Sequence, residues 1–189
     1  MRFERGITAE QRLREVTERM AAMGVRLRRK RDHSLHRAID WALRVVTFGR
    51  MRTYLTEYVT TLGATIFLPD GWERISAGRR WEILEHELVH VEQFGRYGWV
   101  GMSVLYLLVP LPMGLAWGRA RLEWEAYRVT LRCIAAHEGI EAVRSPALTA
   151  EIVRRFTGPD YGYMWPFPLV ITRWIEEERS SIERDLAVQ

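Results

Sequence analysis

Twenty-two consecutive residues, Tyr97 to Gly118, carry no charge, and they separate two stretches whose apolar residues recur at helical spacing. The run has the length of a membrane-spanning helix. It carries Trp99 and Trp117 near its ends, with Arg96 and Arg119 as flanks. Pro110 and Pro112 count against an unbroken helix, because each lacks a backbone donor and clashes with the preceding turn. A straight helix of ~20 residues would carry the chain about 30 Å away. A bend at Val109 to Met113 instead returns it beside its starting point. The expected arrangement is two helices joined by a bent apolar segment that packs on the domain or dips into one leaflet of a membrane, with both flanks on the same side.

The flanking helices are expected at 79–97 and 119–137. A further amphipathic helix runs from Ala9 to Met23, where Leu13, Val16, Met20 and Met23 share a face, Thr8 and Gln11 form a capping box and Gly24 ends the helix. Another is read from Ser34 to Val46. Between them and the central helices, TYLTEYVTTLGATIFLPDGW is rich in Thr, Tyr, Val and Ile, breaks at Leu62-Gly63 and closes on Pro69-Asp70-Gly71. That pattern predicts two antiparallel strands, about 52–61 and 64–68. The fold class is therefore α+β, mainly helical, with a small antiparallel sheet. Nothing marks a linker, so residues 1–189 read as a single domain, with a basic helical region over 1–50 and a core over about 51–175.

Charge and cysteine usage narrow the class further. Residues 1–60 hold 14 basic and 7 acidic side chains, so the overall net charge of +4 is an N-terminal property. Its focus, RLRRKR from Arg26 to Arg31, reads as a solvated helix end and turn, since no nucleic-acid motif accompanies it. The lone Cys133 forms no internal disulfide and lies in an apolar stretch, where a thiol is buried and inert. The charged start MRFERGITAEQRLREV does not resemble a secretory signal. A cytoplasmic location is expected, with membrane association through 97–118.

One pentapeptide carries specific chemistry: His86-Glu87-Leu88-Val89-His90. On a helix, residues four apart share a face, so both imidazoles can hold one zinc ion at the ~2.0 Å such an ion requires. Glu87 is rotated about 100° from His86, beside the ion but outside its ligand shell, where a carboxylate can accept a proton from an activated water. Zinc suits the task because it lowers the pKa of bound water to about 7 and polarises a carbonyl. A catalytic zinc has three protein ligands, and RARLEWEAYR supplies two candidates, Glu123 and Glu125. They lie about 200° apart around a helix, so only one can face the ion.

A His-Glu-x-x-His helix followed by a glutamate helix resembles the gluzincin clan of zinc metallopeptidases, which includes thermolysin, the CAAX-prenyl proteases and the minigluzincins. The matching stretch runs from about Tyr54 to Arg132. The resemblance implies a zincin-like domain in which two helices meet at the metal and an edge strand holds extended peptide. The CAAX-protease pattern Glu-x-x-Ala-Asp aligns Glu123 and Ala126, with Tyr127 in place of Asp; the thermolysin pattern aligns Glu125 and Ala126, with Val129 in its place. Tyr127 keeps a polar group and Val129 does not, which favours Glu123 over Glu125. The missing aspartate leaves His90 to be oriented by another group, such as a backbone carbonyl. Tyr163, and less strongly Tyr161, Arg121 and His137, are candidates for stabilising the oxyanion of a tetrahedral intermediate.

The expected function is that of a zinc-dependent endopeptidase with one zinc per chain, His86, His90 and Glu123 as ligands, and Glu87 as general base. The alternative is a non-enzymatic module in which zinc ties two helices together for membrane or partner binding.

Overall fold

The computed structural model describes residues 6–32, 59–107, 114–158 and 164–188. The helix read at 34–46, most of the first predicted strand, and Tyr161 and Tyr163 lie outside the described residues.

Helix α1 (Ala9–Ala22) begins with the capping box in place: the Gln11 backbone N–H donates to Thr8 Oγ1 at 3.2 Å, and the Thr8 N–H to Gln11 Oε1 at 2.8 Å. Val16 and Met20 are buried on its inner face. Gly24, at φ 74°, turns the chain out of the helix and directly into strand β1 (Arg26–Arg29). This corrects the reading of RLRRKR as a helix end. β1 pairs in parallel with β3 (Thr65–Leu68), Leu27 opposite Ile66, while β2 (Thr60–Leu62) pairs with β3 antiparallel. The sheet, in the order β1-β3-β2, is thus mixed rather than antiparallel. Arginine tolerates the edge because Arg26, Arg28 and Arg29 are exposed, and Arg29 meets Glu73 at 2.7 Å. Lys30, in the 3-10 turn Lys30–Asp32, goes the other way and is fully buried.

Two helices dominate the rest. α2 (Ala77–Leu107) extends ten residues past the expected end at 97 and is interrupted at Gly98, whose φ 66°, ψ 177° no other residue adopts without strain. α3 (Gly114–His137) packs along it, and Gly118 lies so close to Leu105 that a Cβ there would sit 2.7 Å from the leucine side chain. The chain then folds through α4 (Ile140–Arg144), α5 (Pro146–Thr157) and α6 (Pro168–Ala187). Buried Glu178 on α6 accepts from Arg128 and Arg132 of α3, both at 2.6 Å, and fastens α6 to that helix.

The interior has two apolar cores on either side of the central helices. One joins α1, the sheet and α2 through Val16, Met20, Ile66, Trp81, Leu84 and Leu88. Burying an aromatic such as Trp81 removes on the order of 200 Å² from water, worth about 5 kcal/mol. The other joins α3 to α4, α5 and α6 through Trp124, Leu131, Phe156, Ile171 and Ile182. Cys133 is fully buried, and burial pushes its thiol pKa well above the usual range. Among the described residues, no helix is long and apolar enough to cross a membrane.

Candidate metal centre

The seam between α2 and α3 is where the two cores leave polar side chains facing one another. His86 and His90 lie one turn apart on α2, and Glu123 faces them from α3. Glu123 Oε2 stands 3.8 Å from His86 Nε2 and 3.9 Å from His90 Nε2, and one donor atom from each of the three residues falls within 4.8 Å of the others. Tetrahedral zinc ligands at ~2.0–2.1 Å from the ion stand about 3.3 Å apart, so a small inward adjustment suffices. Two imidazole nitrogens and a carboxylate oxygen are also the donor types that zinc takes.

Hydrogen bonds fix which ring nitrogen faces the centre. Thr130 donates its hydroxyl proton to the Ala126 carbonyl at 3.3 Å, so at 3.0 Å from His86 Nδ1 its oxygen accepts. Gln93 donates its amide to the Leu122 carbonyl and to Glu125 Oε2, both at 3.0 Å, which turns its Oε1 toward His90 Nδ1 at 2.9 Å as acceptor. Each imidazole therefore carries its proton on Nδ1 and presents a lone pair on Nε2 toward Glu123. Gln93 replaces the backbone carbonyl expected to orient His90. Tyr127 serves a different end, packing edge-on against the His86 ring with centroids 5.1 Å apart. Glu125 faces away from the donors, toward Gln93 and toward Arg96 at 3.6 Å.

Burial holds His86 well below the ordinary histidine pKa, with smaller contributions in the same direction from the neighbouring His90, Arg79 and Arg155. It is a neutral, ligand-competent imidazole at neutral pH. Glu87 is buried beside it and accepts a hydrogen bond from Thr61 Oγ1 of β2 at 2.6 Å. Desolvation raises its pKa, opposed by His90 and the Thr61 hydrogen bond. A carboxylate so placed holds a proton more readily than one in water.

His86 and Glu87 open onto a cavity of about 350 Å³ bounded by Val59 before β2, Arg79 and Glu82 of α2, Tyr127 of α3 and Arg155 of α5. Of the other sequence candidates, Arg121 lies over the rings of Trp117 and Trp174, at 5.9 and 5.3 Å. His137 packs against Gly78, two helical turns before His86. Neither lines the cavity. Gln93 and Thr130 were missed, although each is placed by helical spacing: three residues after His90 and seven after Glu123, on the faces that carry the donors. No protein-family model, curated protein or solved structure matches this chain.

Proposed function

We propose that the chain is a zinc-dependent hydrolase acting on peptide bonds, with His86, His90 and Glu123 holding the ion and Glu87 as general base. The observation that carries this reading is the pairing of a three-donor cluster with a buried carboxylate, with His86 of the cluster and Glu87 lining a cavity large enough for part of a peptide. Bound zinc would supply an activated water and an electrophile for the scissile carbonyl. Glu87, whose pKa burial has raised, would serve as the group that takes up a proton from the nucleophilic water and returns it to the leaving amine. Thr61 holds the Glu87 carboxylate in register and so ties the base to β2. Thr130 and Gln93 keep the imidazoles in the ligand tautomer.

Arg79 and Arg155 line the same cavity, each paired with a carboxylate that also lines it, Glu82 at 2.8 Å and Glu151 at 3.1 Å, and are the cations there that a substrate oxygen developing negative charge could meet. Strand β2 is at one end of the described sheet, so an extended peptide can add to its outer edge and pass the cavity. The cavity favours this reading over a zinc ion that merely ties α2 to α3, because a closed structural site has no use for a carboxylate facing open volume.

The test is Glu87→Gln in zinc-loaded protein against a mixed peptide library. Zinc content and fold stay unchanged while hydrolysis falls by about 10²–10⁴-fold. Retained turnover in that variant would remove Glu87 from its role, and no cleavage by the wild type would remove the hydrolase reading.

A further inference from the structure

Strand β2 leads from the cavity past the base to an exposed indole. Val59, just before the strand, lines the cavity, and Thr61, two residues on and so on the same face, donates to Glu87 at 2.6 Å. Two residues further, about 7 Å along an extended chain, the strand gives way to the turn at Gly63 that joins it to β3. The Trp99 indole lies against that turn so closely that a Cβ on Gly63 would sit 2.9 Å from its ring.

Trp99 is placed there by the break in α2. On an unbroken helix, residues five apart stand about 140° from one another. Past Gly98, whose φ 66°, ψ 177° interrupts the helix, the Trp99 ring instead comes within 5.1 Å of the Phe94 ring, centroid to centroid. Held between Phe94 and the Gly63 backbone, Trp99 is nevertheless 61% exposed. An indole fixed in this way is a rigid apolar shelf that gives up little side-chain freedom when something covers it.

We propose that Trp99 is a specificity-determining residue, seating a large apolar side chain of a peptide paired with β2. The inference rests on the hydrolase reading above and names the substrate class: peptides with an aromatic or large aliphatic residue two or three positions from the cleaved bond. A substrate side chain is the occupant because the shelf is continuous with the base along one strand. A peptide paired with β2 repeats the spacing of that strand, so one whose backbone passes Glu87 beside Thr61 reaches the indole two residues on.

The experiment maps cleavage of a position-varied peptide library by the zinc-loaded full chain, using mass spectrometry, and measures by calorimetry the binding of the preferred peptide to the Glu87→Gln chain. The wild type favours Phe or Leu over Ser by at least ~10-fold in kcat/KM at the second or third residue from the cleaved bond. The same exchange in the peptide weakens binding to Glu87→Gln by a similar factor. Trp99→Ala removes both differences, and Trp99→Phe, which keeps an aromatic ring, retains them. Cleavage without that preference, or a preference that survives Trp99→Ala, overturns the subsite and leaves the hydrolase reading standing. Cleavage of no peptide by the wild type overturns both. A wild-type dimer in light scattering that Trp99→Ala dissociates also overturns the subsite, since the shelf would then belong to a second copy.

Discussion

The two halves of α2 pack along the same partner helix and follow opposite rules. Before Gly98, polar groups are buried: Glu82, Glu85, Glu87, His90 and Gln93 are all less than 10% exposed. After it, charge disappears and Trp99, Val100 and Val104 stand in water. A buried polar group without a hydrogen bond costs about 1–3 kcal/mol, and several polar groups of the first half have a defined neighbour: Trp81 Nε1–H donates to Glu85, Thr61 donates to Glu87, and Gln93 stands between His90 and Glu125. Side chains placed under that constraint are held in fixed directions, which a metal site requires. Among its described side chains the second half shows no such pair, and Trp99, Val100 and Val104 are left exposed.

Breaking a pair in the first half has the largest expected effect. Gln93→Leu removes the acceptor that holds the proton on His90 Nδ1, and zinc affinity falls by about 10–100-fold in a competition titration with a chromophoric chelator. Unchanged affinity would show that His90 needs no such partner. The junction comes next. A Cβ at Gly98 meets nothing within 4 Å, so Gly98→Ala tests backbone conformation alone. It destabilises the chain by about 1–3 kcal/mol in urea denaturation. No loss would mean that the two halves can join as a continuous helix.

A smaller effect depends on pH. Burial raises the Glu82 pKa above its ordinary value near 4.5, against the pull of Arg79, so the folded state holds a proton that the unfolded state releases. Stability from this group is therefore lost as pH rises through the raised pKa. Glu82→Gln gains stability relative to the wild type between pH 4.5 and 7 in urea titrations at the two pH values. A constant difference would place the Glu82 carboxylate in effectively aqueous surroundings. Smallest of all, Val100→Ser shifts stability by no more than about 0.5 kcal/mol, because its side chain already stands in water.

The sequence announces the first half of α2 more clearly than its surroundings. The spacing of His86 and His90 is local and is read directly, and the α1 capping box is equally local. The 200° rotation between Glu123 and Glu125 says only that one of them can face the ion, and the choice of Glu123 rested on the resemblance to the CAAX-protease pattern with Tyr127 as the polar neighbour one turn on. β1 was hidden for a physical reason. Its parallel partner lies some forty residues away, Arg26 opposite Thr65, and arginines on an exposed edge look the same as arginines on a helix end. Lys30 was hidden likewise, since nothing in RLRRKR distinguishes the one cation that the fold buries. The length of α2 was underestimated because Gly98 reads as a terminator, whereas the helix resumes beyond it. Gln93 and Thr130 were legible in principle, at helical spacing from the ligand positions, but their function depends on the hydrogen bonds they donate elsewhere.

The most direct measurement is zinc content by elemental analysis, on protein purified without added metal or chelator, for the wild type, Glu123→Ala and Glu125→Ala. One zinc per chain is expected in the wild type and, largely, in Glu125→Ala, with the ion lost from Glu123→Ala, because only Glu123 faces both imidazoles. A metal-free wild type, or zinc retained by Glu123→Ala and lost from Glu125→Ala, would contradict the account.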